Sequence, residues 1–193
     1  MDKAIIFDMD GTLFQTEKNL ELSLEDAFNH LRALDRWAED TPIKKYREIM
    51  GVPLPKVWET LLPNHSKETR NKMDNIFQES LIKNVKRGEN GLYPNAVEIL
   101  SYLKGKNYSI FIASNGLMNY LSAIVESYNL NKLVCETFSI EQIDSLSKSD
   151  LVKHIKAKYG ISQGAVVGDR ISDFGESLNT TLIKQLKTLM YQM

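Results

Sequence analysis

Asp8 and Asp10 stand one residue apart, directly after the apolar run Ala4-Ile5-Ile6-Phe7 and directly before Gly11 and Thr12. Two carboxylates this close repel each other at neutral pH, so their placement calls for a cation. Mg²⁺ is the natural candidate, because it takes hard oxygen ligands and keeps positions open for water and a phosphate group. Gly11 and Thr12 let the backbone turn tightly and aim N–H groups at an anion. Three more features of this kind follow: Ser114-Asn115-Gly116, Lys148, and Gly168-Asp169-Arg170-Ile171-Ser172-Asp173.

The elements that must position these residues can be read from the apolar pattern. Ala4–Phe7 is short and uniformly apolar, as suits a strand buried on both faces of a parallel sheet, and the acids then lie at its carboxyl end, where such sheets bind ligands. Leu20, Leu24, Ala27, Phe28, Leu31 and Leu34 recur at helical spacing. Further helical pieces run from Pro42 to Met50, from Pro53 to Pro63, and through Met73, Ile76, Phe77, Leu81 and Val85. Nothing from Phe14 to Arg87 reads as a strand, so an all-helical insertion, able to bury its own apolar faces, interrupts the chain. Pro94 then opens a helix with Val97, Leu100 and Leu103 on one face and Gly105 at its end. Tyr108–Ala113 is the second strand, delivering Ser114, and Leu117–Tyr128 the next helix. Val134–Phe138 is the third strand. Ser147, with Asp150 three residues on, caps a helix over Lys148–Tyr159 that ends at Gly160. Ala165–Val167 is a fourth strand, ending at Asp169. This alternation predicts an α/β fold with a parallel sheet, in which residues 1–14 and 89–193 form the core domain and residues 15–88 a helical cap.

Composition narrows the function. The 193 residues carry 24 Lys plus Arg against 25 Asp plus Glu, and this near balance gives no reason to expect nucleic acid or an anionic membrane as partner. Cys135 is the only cysteine, so neither an intramolecular disulfide nor a thiolate metal cluster is expected. The N-terminus lacks the regions of a signal peptide and no apolar run reaches membrane-spanning length, so the expected location is the cytoplasm.

The four features, in this order and setting, resemble the haloacid dehalogenase superfamily: D-x-D-G-T at Asp8–Thr12, S-N-G at Ser114–Gly116, a lysine at the head of a later helix, and G-D-x-x-x-D at Gly168–Asp173. Each motif is weak singly, and the four together are strong. The resemblance implies a Rossmann-like core with the helical insertion as the cap that chooses the substrate. It implies that Asp8 attacks phosphorus to give an aspartyl-phosphate, while Asp10 protonates the leaving oxygen and later deprotonates water. Mg²⁺ would be held by Asp8, Asp10 through its backbone carbonyl, and Asp169, with Asp173 helping from behind. Ser114, Asn115 and Lys148 would bind the phosphate. The expected activity is Mg²⁺-dependent hydrolysis of a small-molecule phosphate ester, by a monomer or weak homodimer.

A phosphomutase would share every one of these motifs and differ in the acceptor of the phosphoryl group. From a different class, a non-catalytic relative that binds Mg²⁺ or phosphate is the alternative, because the chain departs from the family pattern after Asp173. There, Leu182, Ile183, Leu186, Leu189 and Met190 suit one amphipathic helix over Thr180–Met193 in place of a further strand and helix. A shortened C-terminus of this kind predicts that Ala165–Val167 forms a sheet edge. Trp37 and Trp58 are expected in the cap core and Cys135 packed within a strand. His30, His65 and His154 have no metal-ligand spacing.

Overall fold

The computed structural model describes residues 3–49, 54–145 and 147–169. Asp173 and the Thr180–Met193 helix expected from the sequence lie outside the described residues. Among them the chain divides into two compact units: one contains the chain up to Thr16 and from Asn90 onward, the other Glu17–Glu89.

The first unit is built on four parallel strands: β1 (Lys3–Phe7), β2 (Ser109–Ser114), β3 (Glu136–Ser139) and β4 (Gln163–Val167), in the order β3-β2-β1-β4. This is the predicted α/β architecture. β1 is central, with Phe7 opposite Ile112 on one side and Val167 on the other. Its apolar run follows from burial on both faces. Ala4, Ile6, Phe111, Ala113, Phe138 and Val166 pack with Leu151, Val152 and Ile155 of α7 (Lys148–Tyr159), while Ile5, Phe7, Ile110 and Ile112 are buried on the other face. β4 lies at one end of the sheet among the described strands.

Two further helices of this unit are α5 (Ala96–Gly105) and α6 (Met118–Ser127). In α5 the buried face is Ala96, Ile99, Leu100 and Leu103, whereas Val97 is exposed. Pro94 precedes the helix instead of opening it, because Asn95 takes a left-handed conformation (φ 61°) that an asparagine tolerates and so delays the start to Ala96. At the other end Gly105 is still helical. Asn107 supplies the left-handed residue there, and the Tyr108 N–H donates to Leu103 O. Ser147 precedes α7 without a side-chain cap, since Asp150 instead accepts from Ser145 Oγ and Lys153 Nζ. Gly160 ends α7 with φ 59°. Cys135 is exposed and precedes β3: its N–H donates to Ile110 O, which sets the pairing that begins one residue later.

The second unit holds α1 (Thr16–Ala33, whose first residue belongs to the other unit), α2 (Ile43–Glu48), α3 (Leu54–Leu61) and α4 (Lys67–Lys86). Its core is aromatic. Trp58 stacks with Phe28 and meets Phe77 edge-on, Trp37 packs edge-on against Phe28, and Leu24, Leu31, Leu62 and Met73 fill the surroundings. Leu34 falls just past the end of α1 and is exposed. A buried polar seam joins α1 to α4, where Asn84 Nδ2 donates to Ser23 Oγ and Asn19 Nδ2 to Leu81 O. No helix among the described residues is long and apolar enough to cross a membrane.

Candidate active site

Parallel pairing brings the carboxyl ends of β1, β2 and β4 to one edge, and the sequence-predicted residues arrive there with them. The Asp8 N–H donates to Val167 O at 2.7 Å, which carries the β1–β4 ladder one step past the strand. Asp8 is buried, and its Oδ1 accepts from the Met9 N–H at 2.8 Å and from Lys148 Nζ at 2.6 Å. Lys148 is the first residue of α7, and its side chain is only 3% exposed. A charge withdrawn from water in this way needs a partner, and here each ion supplies the other.

Asp10 is half-buried and held by hydroxyls on both oxygens. Its Oδ1 accepts from Thr16 Oγ1 at 2.7 Å and from the Tyr120 hydroxyl at 2.9 Å, and its Oδ2 from Ser114 Oγ at 3.3 Å. Ser114 Oγ in turn accepts the Gly116 N–H at 3.0 Å. Asn115 follows Ser114 and is exposed.

The loop from Asp8 to Gln15 is closed on itself by Gly11 N–H donating to Phe14 O, and is tied to the returning chain by Gln15 N–H to Gly91 O and Tyr93 N–H to Leu13 O. Gly11 has φ +72°, and a Cβ there would stand 2.6 Å from Asp169 Oδ2. The Asp169 carboxylate therefore lies against the one residue of this loop that leaves room for it. Asp8 is thus joined to Lys148 and Asp10 to Ser114 by direct contacts, with Asp169 against the loop that follows the two acids.

Two residues of this network gave no signal in the sequence. Tyr120 and Thr16 belong to no motif, and their hydroxyls reach Asp10 only through the fold. Ser139 is a third. It is the fully buried last residue of β3, donates to Gly116 O at 2.7 Å, and stands two residues before Glu141, whose Oε2 accepts the Met118 N–H at 2.7 Å. The turn after β3 thereby holds the Ser114–Gly116 loop from behind.

Among the described residues no group of three or more His, Cys, Asp or Glu side chains gathers at a metal-binding spacing. The donor set nonetheless suits Mg²⁺, which is held by one or two carboxylates with water and substrate oxygens completing its shell. Asp8 and Asp169 are two such carboxylates, flanking a loop whose Asp10 carbonyl is a third oxygen.

A parallel α/β sheet with this acid pair, hydroxyl loop and lysine defines a class, and residues 3–175 match the haloacid dehalogenase-like hydrolase family, to which the chain belongs. One relative is the "Probable phosphatase IndB" of Dickeya dadantii (strain 3937), 27% identical over 135 residues, 67% of this chain and 55% of that protein. The chain thus spans little more than half the length of this relative. In fold it is similar to a predicted phosphoglycolate phosphatase of Haemophilus somnus 129PT (TM-score 0.74, 20% identity, 89% of this chain and 79% of that one). It is similar also to CbbY of Rhodobacter sphaeroides in complex with phosphate (TM-score 0.73, 16% identity, 89% and 80%).

Proposed function

We propose that the chain is a Mg²⁺-dependent phosphomonoester hydrolase that acts on a small phosphate ester through a phosphorylated Asp8. The observation that carries this reading is the buried contact of Lys148 Nζ with Asp8 Oδ1 at 2.6 Å. A carboxylate fixed by a lysine and a backbone N–H, beside a second carboxylate held by hydroxyls, suits a nucleophile with its acid–base partner. The phosphatase name of the Dickeya relative and the phosphate bound by the Rhodobacter protein support the same chemistry.

In the first half-reaction Asp8 bonds to phosphorus as the ester P–O bond breaks. The leaving oxygen keeps the electron pair and takes the proton carried by Asp10. In the second, a water oxygen bonds to phosphorus, its proton passes to Asp10, and the Asp8–phosphorus link breaks to return free Asp8 and inorganic phosphate. Ser114 Oγ and the Asn115 N–H hold phosphoryl oxygens, and Lys148 balances negative charge on Asp8 and the group transferred to it. Asp8, Asp169 and the Asp10 carbonyl would hold Mg²⁺, with Asp173, outside the described residues, as the remaining acid of the motif. Bound there, the ion supplies Lewis-acid polarisation and charge neutralisation at the phosphoryl oxygens.

The test is phosphate release from a panel of phosphomonoesters, with and without Mg²⁺, by wild type and Asp8→Asn. Turnover is expected only for wild type with Mg²⁺. Asp8→Asn turning over near the wild-type rate would remove Asp8 as nucleophile.

A further inference from the structure

We propose that Tyr120 is a positioning residue that selects which oxygen of Asp10 handles the proton; the inference rests on the hydrolase reading above. Oδ1 of Asp10 accepts two hydroxyl hydrogen bonds, from Tyr120 at 2.9 Å and from Thr16 at 2.7 Å. Thr16 Oγ1 also lies 3.2 Å from Phe14 O, so its one proton favours the nearer Oδ1, and with Tyr120 on the same oxygen the proton that Asp10 gives to the leaving oxygen, and recovers from water, is assigned to Oδ2. Oδ2 is the oxygen beside Ser114 Oγ, where the phosphoryl group is to be bound.

Tyr120 is built for this task from both sides. It is 6% exposed, its ring meets Phe14 edge-on with centroids 6.4 Å apart, and its Cδ1 lies so close to Gly116 that a Cβ there would stand 3.2 Å away. Phe14 belongs to the loop that carries Asp10, and its carbonyl accepts the Gly11 N–H. Gly116 belongs to the loop that carries Ser114. One ring therefore rests against both loops, and its hydroxyl ends on the carboxylate between them. A small rotation of Asp10 is costly to transfer, because the proton must travel along a short, aligned path.

The test compares wild type and Tyr120→Phe, which keeps the ring and its packing, on an alkyl phosphate and on 4-nitrophenyl phosphate with Mg²⁺. The alkyl leaving group needs the proton from Asp10, whereas 4-nitrophenolate leaves without it. Expected for Tyr120→Phe is an alkyl phosphate kcat lower by roughly 10- to 100-fold with KM little changed. On 4-nitrophenyl phosphate, a first-turnover burst of 4-nitrophenolate is expected, followed by slow hydrolysis of the phosphorylated Asp8. In an Asp10→Asn background Tyr120→Phe should change kcat by less than about twofold, since the two act as one unit. Equal losses on both esters without a burst, or an undiminished effect in the Asp10→Asn background, would overturn the role of Tyr120 while leaving the hydrolase reading intact. Wild type inactive on both esters would instead overturn the reading itself and this inference with it.

Discussion

Lys148 Nζ and Asp8 Oδ1 lie 2.6 Å apart with side-chain exposures of 3% and 7%, so α7 delivers a buried cation to the end of β1. Both groups are withdrawn from water, so the loss of one breaks a buried ion pair. Lys148→Met should therefore destabilise the protein by about 3–5 kcal/mol, the usual cost of breaking such a pair from one side. Adding Asp8→Asn should restore much of that stability, though not activity. Urea unfolding of the two single variants and the double variant measures the coupling, and simple additivity would show that the pair is not stabilising as a unit.

Gly11 is the second test of the site's construction. With φ +72° and only 2.6 Å between its notional Cβ and Asp169 Oδ2, Gly11→Ala meets both backbone strain and a carboxylate. Strain alone costs roughly 1–2 kcal/mol in a left-handed position. Displacement of Asp169 should add a specific defect: Mg²⁺ should raise the melting temperature of wild type and do so less for Gly11→Ala, because a ligand that binds the folded state stabilises it in proportion to its affinity. An equal Mg²⁺-induced rise in both proteins would separate Asp169 from the metal.

What the sequence revealed and what it hid divide along physical lines. β1, β2 and α7 were legible because burial imposes a continuous apolar run or a helical spacing, and the acids, hydroxyl and lysine were legible because motif order survives folding. The Asp10 contacts were not: Tyr120 and Asp10 meet only because α6 and the β1 loop sit at the same sheet edge. Val97 and Leu34 matched the periodicity but stand at helix ends, where the face rotates into solvent. Cys135 matched a strand residue but falls one position before β3, which begins only at Glu136.

Thr12 offers a subtler test. It is buried at 3% exposure, and its Oγ1 has no hydrogen-bond partner among the described residues. An unpaired hydroxyl in a dry site costs roughly 1–3 kcal/mol, and a group of the same shape without it avoids that cost. Thr12→Val should therefore unfold at the wild-type urea midpoint or above it. A clear drop in midpoint would mean that the hydroxyl is satisfied.

Stability is also linked to pH at Glu136, which opens β3. Its carboxylate accepts from Lys158 Nζ at 2.8 and 2.9 Å and from the Tyr159 hydroxyl. Burial pushes the Glu136 carboxyl up, but the hydrogen bonds from Lys158 and Tyr159, with the charges of Lys158 and His154, outweigh it and hold the group below the usual 4.5. The hydrogen bond to Glu136, then burial and the charge of Glu136 with a smaller contribution from Cys135, pushes Tyr159 up from 10.0 to about 12. The signs are opposite. A depressed carboxylate contributes stability that is present above its unfolded value and lost as pH falls through the folded one; a raised tyrosine contributes stability present below its unfolded value and lost as pH rises through the folded one. Urea midpoints should accordingly fall in acid below pH 4.5 and again in alkali between pH 10 and about 12. Tyr159→Phe should flatten the alkaline limb, and Glu136→Gln the acid limb, while also letting Tyr159 ionise nearer its ordinary value, read as tyrosinate absorbance against the Tyr159→Phe protein. An alkaline limb unchanged by Tyr159→Phe would assign that loss to other groups and dissolve the proposed link between these two residues.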